Sequence, residues 1–130
     1  MSYFSPATDP KLYRCSCGRL ECDAPAPSSV LLMTLELMRH QLGREITVHS
    51  GPRCAFWNEK EGGEPTSAHL TGDAADLACG SGAERWDMLD AARQAGFQRL
   101  GIGRTFLHVD VSNTLPGKVV WHYYPKGATA

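Results

Sequence analysis

The chain has 130 residues, 42% of them hydrophobic and 21% charged, with a formal charge of −1. That length and composition fit one soluble globular domain able to bury a core without staples. The near-neutral balance excludes a nucleic-acid or anionic-membrane surface, because Lys118 and Lys126 are too sparse to form a basic patch.

The opening Met1-Ser2-Tyr3-Phe4-Ser5-Pro6 lacks a basic n-region and an apolar h-region, so no signal peptide is expected. The most apolar stretch, Val30 to Met38, is interrupted by Glu36, and no membrane span is expected. The expectation is a monomer made in the cytoplasm, which needs another agent to deliver it to any substrate outside.

Residues 1–26 are rich in Pro, Ser and Cys and read as an irregular clasp. Within them Cys15, Cys17 and Cys22 follow a C-x-C-x4-C spacing, unlike a regular ribbon or knuckle. Five cysteines without an export signal argue against a full disulfide framework. Free thiols packed in a small loop are expected, with a single disulfide, or a structural metal if Cys54 comes close, as alternatives.

Pro25-Ala26-Pro27-Ser28-Ser29 reads as a helix start, and Leu31, Leu32, Leu35, Met38 and Leu42 recur at helical spacing up to Gly43. Ile46 to Ser50 is β-branched and alternating, which predicts a strand ending at Gly51-Pro52. Residues 51–68 contain Gly62-Gly63 and Pro65 and read as a loop. A short strand is predicted over Asp73 to Ala78, then a helix over Ala83 to Ala95 closed by Gly96. Strands near Leu100-Gly101-Ile102, over Phe106 to Val111 and over Val119 to Tyr124 complete the chain. The predicted architecture is α+β, a small mainly antiparallel sheet with helices packed on one side.

The segment from Ser67 to Leu77 carries the most chemistry. His69 leaves a loop, Gly72 permits a tight turn, and Asp76 lies in the following strand, so an imidazole and a carboxylate sit on two arms of one bend. In Phe106-Leu107-His108-Val109-Asp110-Val111, strand alternation turns His108 and Asp110 to one face and the apolar residues to the other. Two imidazoles and one carboxylate from His69, Asp76 and His108 form a set that zinc accepts while keeping one position for water. Taken alone, His69 and Asp76 also suit a hydrogen-bonded structural pair, and His108 a satisfied strand histidine.

Ser50-Gly51-Pro52-Arg53-Cys54, Asn58, Gly62-Gly63, the Ser-x-His-x-x-Gly-x-Ala-x-Asp run and the closing His-Val-Asp-Val resemble the zinc D-alanyl-D-alanine carboxypeptidase and L-alanyl-D-glutamate endopeptidase family. That family shares the hedgehog signalling-domain fold and includes vancomycin-resistance dipeptidases and many phage endolysins. The resemblance runs from about Phe4 to Tyr124. Phe4-Ser5-Pro6, the Cys-x-Cys-Gly cluster and Trp121 are similar to the short phage-type members.

The resemblance implies one catalytic zinc ion on His69, Asp76 and His108, and an Arg53 that steadies a substrate carbonyl or the oxyanion formed on attack. It implies that the substrate is a peptidoglycan peptide, cut by an enzyme that reaches the wall after holin- or phage-mediated release. Ser67 matches a residue that can hydrogen-bond substrate, although a turn or cap serine fits equally. Many relatives place a Glu three residues before the last histidine ligand, where this chain has Thr105. Asp110 is the nearest carboxylate and is expected to act as the general base, with orientation of a ligand histidine as the alternative. His122 either faces substrate or joins an aromatic edge with Trp121, Tyr123 and Tyr124. His49 is expected in a structural hydrogen bond, with the cleft wall as the alternative, and His40 at the surface. A zinc-bearing but catalytically silent module and a free-dipeptide hydrolase are the competing expectations.

Overall fold

Ser28 and Ser81 start the two long helices, each accepting a hydrogen bond from the amide three residues on, Leu31 N and Glu84 N. Gly43 and Gly96 end them in the left-handed conformation that glycine adopts without strain. A computed structural model describes residues 2–124, with four helices, a 3-10 turn and five strands. In chain order these are α1 (Pro10–Tyr13), α2 (Ser29–Leu42), β1 (Val48–Ser50), α3 (Ala55–Lys60), the 3-10 turn (Ala68–Thr71) and β2 (Ala74–Ala78). Then follow α4 (Gly82–Ala95), β3 (Arg99–Ile102), β4 (Phe106–Asp110) and β5 (Val119–His122).

The strands form one sheet in the order β1-β2-β4-β3-β5. Every pairing is antiparallel except β3 with β5, so the expected α+β class with a mainly antiparallel sheet holds. Leu31, Leu35 and Met38 of α2 and Met88, Ala91 and Ala92 of α4 share one buried cluster with Leu77, Leu100, Leu107 and Val109 of the sheet. The helices therefore cover one face, and strand alternation sends Asp76, His108 and Asp110 to the other. Buried apolar side chains on the first face supply the main folding drive and leave the second free for polar chemistry.

Three segments depart from expectation, the first being Pro10–Tyr13, which form the short helix α1 inside the stretch read as irregular. Residues 51–68 are not all loop, because Ala55–Lys60 form α3, a helix too short to show a periodic stripe. The strand expected from Ile46 begins at Val48, with a register irregularity between Val48 and Ser50. Glu36, which breaks the apolar run of α2, accepts hydrogen bonds from the Tyr3 and Phe4 amides and so ties the N-terminal segment to that helix. No helix among the described residues is long and apolar enough to cross a membrane.

Candidate metal centre

The register of β2 on β4 makes Asp76 and His108 direct cross-strand partners. Such partners have Cβ atoms about 5 Å apart, which places a carboxylate and an imidazole side by side from residues distant in sequence. His69 arrives from the 3-10 turn. Ser67 caps that turn by accepting from His69 N at 3.2 Å, and Gly72 closes it at φ 76°, a left-handed conformation open to glycine. One ligand atom from each of His69, Asp76 and His108 lies within 4.8 Å of the others. All three residues are at least nine-tenths buried.

Hydrogen bonds settle which ring nitrogens face inward. His69 Nδ1 lies 2.7 Å from the Gly51 carbonyl, which only accepts, so the proton sits on Nδ1 and the Nε2 lone pair points to Asp76 Oδ1 at 3.3 Å. His108 Nε2 donates to Asp110 Oδ2 at 2.7 Å, leaving Nδ1 toward the same Asp76 oxygen at 3.0 Å. Two nitrogen lone pairs and a carboxylate oxygen thus converge on one point. Such an arrangement is repulsive unless a cation fills it. Burial alone would lower the His108 pKa, but its bonds to Asp110 and Asp76 outweigh burial and raise it. Burial likewise opposes ionisation of Asp76, but the two histidines overcome it and hold the carboxyl well below its ordinary range. The donor set fits a divalent metal that accepts nitrogen and oxygen, with the protons displaced on binding.

Around these donors lies a second layer of bonds. Arg53 is 7% exposed and spends three N–H groups on Ser50 Oγ (3.2 Å), Asn58 Oδ1 (3.2 Å) and Asp76 Oδ2 (3.0 Å). It fixes the Asp76 oxygen that does not face the histidines. Asp110 is 1% exposed and accepts from His108, from Arg99 Nε at 2.8 Å and from the Ser112 amide at 3.1 Å. Arg99 lies directly opposite Asp110 in the β3–β4 register. Neither Arg99 nor Tyr123 stands out in the sequence. The only signal was the polar position of Arg99 in an otherwise apolar strand.

A cleft of about 600 Å³ opens over this centre. Arg53, Ser67 and His122 line it together with the three donors, as does His49. His122 is exposed at the rim, where its Nδ1 accepts from the Tyr124 amide at 3.2 Å. His40 lies away on α2, 3.2 Å from the Tyr3 hydroxyl. Trp121 and Tyr123 pack within 5.3 and 6.3 Å of the His108 ring. They fit there because position 101 is glycine, and a Cβ would meet the Tyr123 ring at 2.6 Å and the Trp121 ring at 2.8 Å. Loss of water around the phenol, then the charges of Asp76 and Asp110, push the Tyr123 pKa up to about 12 against Trp121 and Arg53. Tyr123 therefore holds its proton more firmly than a free tyrosine.

Residues 8–112 match the model of the family described as Peptidase M15. The chain is also similar to the zinc D-Ala-D-Ala carboxypeptidase of Streptomyces albus G, 39% identical over 79 residues. That alignment covers 59% of this chain and 30% of the relative, so the chain spans less than a third of that protein's length. A family match over most of the chain, coinciding with a buried His-Asp-His donor set at the foot of a cleft, places the chain in the peptidase M15 family.

Proposed function

We propose that the chain is a zinc-dependent metallopeptidase that hydrolyses peptide bonds in the stem or cross-link peptides of bacterial peptidoglycan. The observation that carries this reading is the convergence of two fixed lone pairs and a buried carboxylate at the foot of an open cleft. His69, Asp76 and His108 hold the ion. When bound it supplies Lewis acidity toward a carbonyl and toward water. Similarity to the zinc D-Ala-D-Ala carboxypeptidase of Streptomyces albus G supports zinc and a D-Ala-D-Ala terminus as the substrate class.

The chain's own residues supply position and charge. Arg53 lines the cleft with N–H groups left over from its three buried bonds, and these can hold a substrate carboxylate or the negative oxygen that develops on attack. Tyr123 stays protonated and can donate to a substrate carbonyl. His122 and Ser67 face the same space and serve to bind peptide. For Asp110 the geometry favours the orienting role over the general base. Both its oxygens already accept hydrogen bonds, from Arg99 and the Ser112 amide on one and from His108 on the other, and the residue is 1% exposed.

The rim is exposed at His49, Glu61, Glu64 and His122, which suits a polymer-borne peptide better than a free dipeptide needing an enclosed chamber. Likeness of the Phe4-Ser5-Pro6 opening and the cysteine cluster to phage-type members supports a phage or prophage endolysin. A zinc-holding but silent module is the second reading, favoured by Thr105 at the usual Glu position and by the engaged oxygens of Asp110.

Digestion of purified peptidoglycan with the zinc-loaded chain, followed by mass spectrometry of the released peptides, tests the proposal. Expected are fragments cleaved at one type of bond next to a D-residue, no longer formed after a chelator and restored by zinc. Intact wall peptides under all conditions would leave the silent module.

A further inference from the structure

Outside the cleft, the segment from residue 14 to residue 28 has no helix or strand and buries none of its residues. Leu20 within it is fully exposed. A stretch that long needs something other than a core to offset its ordering entropy. What it shares is a focus. The sulfurs of Cys15, Cys17 and Cys22 gather with that of Cys54, all within 4.8 Å of one another. Cys54 comes from a separate segment of the chain, where it precedes α3.

The geometry points to a structural zinc ion held by Cys15, Cys17, Cys22 and Cys54. A tetrahedral thiolate site with Zn–S of about 2.3 Å sets its sulfurs roughly 3.8 Å apart. Cys15 Sγ and Cys54 Sγ stand 3.8 Å apart, whereas a disulfide would need about 2.05 Å. Backbone amides already point at the sulfurs. Cys54 N lies 3.5 Å from Cys15 Sγ, and Arg19 N lies 3.4 Å from Cys17 Sγ. The second contact depends on Gly18 at φ 70°, which turns the chain back over Cys17. Amide donors aimed at sulfur stabilise thiolate charge, the form a metal requires.

Four thiolates around one zinc carry surplus negative charge, and Arg14 and Arg19 flank the ligands in sequence. The C-x-C-x4-C spacing with a distant fourth ligand is irregular because these ligands come from a loop and a helix cap rather than from two hairpin knuckles. The site has a consequence for the cleft. Cys54 directly follows Arg53, so an ion there clamps the backbone from which the guanidinium reaches Asp76. The buried site of His69, Asp76 and His108 uses none of these residues, and the two sites load independently.

The test uses the whole chain with both sites intact and the variant His69→Ala. Native mass spectrometry of the wild type should find about two zinc ions, and of the variant about one. Titration of either protein with a mercurial reagent should release about one zinc as four thiols react. Cobalt in place of zinc should give intense sulfur-to-metal charge-transfer absorption that survives in His69→Ala. A Cys17→Ser, Cys22→Ser double variant should lose that absorption and melt earlier, and if it fails to fold, the wild-type titration still decides. A mass lower by the hydrogens of new disulfides would overturn the proposal. So would free alkylation of all four cysteines in the zinc-loaded chain, or a ferric tetrathiolate spectrum in the protein as isolated.

Discussion

Replacing Arg53 with lysine is expected to lower kcat/KM on wall peptides about 100- to 1,000-fold while the metal stays bound. Lysine restores a charge but not the fork. One ammonium cannot serve Ser50, Asn58 and Asp76 together and still present N–H groups to substrate. The second Asp76 oxygen then shares one ammonium with Ser50 and Asn58, while its first oxygen stays with the two histidines and no N–H is left for substrate. Arg53→Ala should fall at least as far, because it leaves buried Asp76 with less compensation for its charge. The split matters. A loss confined to KM would mean that Arg53 only binds substrate. A fall in kcat at constant zinc content is the result expected of a group that meets charge developing during attack. Unchanged kinetics in Arg53→Lys would remove Arg53 from the machinery.

Asp110→Asn is expected to weaken zinc affinity about 10- to 100-fold, with activity recovering as zinc is raised. The carboxylate holds His108 Nε2–H and thereby directs Nδ1 to the metal point. An amide can turn its NH2 toward His108 and favour the wrong tautomer, so the ligand nitrogen is lost part of the time. A general base predicts the opposite pattern, unchanged zinc affinity and a rate that excess metal does not restore. Equilibrium titration with a chromophoric chelator beside the rate measurement separates the two. Arg99 shares this work through its 2.8 Å bond to Asp110, and Arg99→Ala should reproduce a milder form of the same affinity loss.

The parts of this molecule set by short-range pattern were legible before any coordinates. The stripe of Leu31, Leu35 and Met38, the caps at Ser28 and Gly43, and the alternation of Leu107, His108, Val109 and Asp110 all follow from local geometry. That His69, Asp76 and His108 are candidate donors was legible too, through spacing and resemblance, and the structure brings the three together. What the sequence hides is register. Nothing local says that residue 76 lies opposite residue 108, or residue 99 opposite residue 110, because strand pairing is decided by the whole sheet. The bond from Arg53 to Asp76 and the approach of Cys54 to the N-terminal cysteines are hidden for the same reason. Helix α3 escaped because six residues give a helical period too little room, and Gly62-Gly63 beside it signals a loop. Sequence also cannot show that both Asp110 oxygens accept hydrogen bonds, from His108, Arg99 and the Ser112 amide, which is what underlies the orienting role proposed for it.

The most direct test of the central claim is zinc content measured alongside peptidoglycan cleavage for the wild type and His69→Ala. His69 is 2% exposed and offers one of the two fixed lone pairs, while the cysteine cluster does not depend on it. The account predicts that the variant loses about one zinc per chain and all measurable cleavage while keeping its fold by circular dichroism. A folded variant that keeps the full zinc content and still cuts the wall would contradict it.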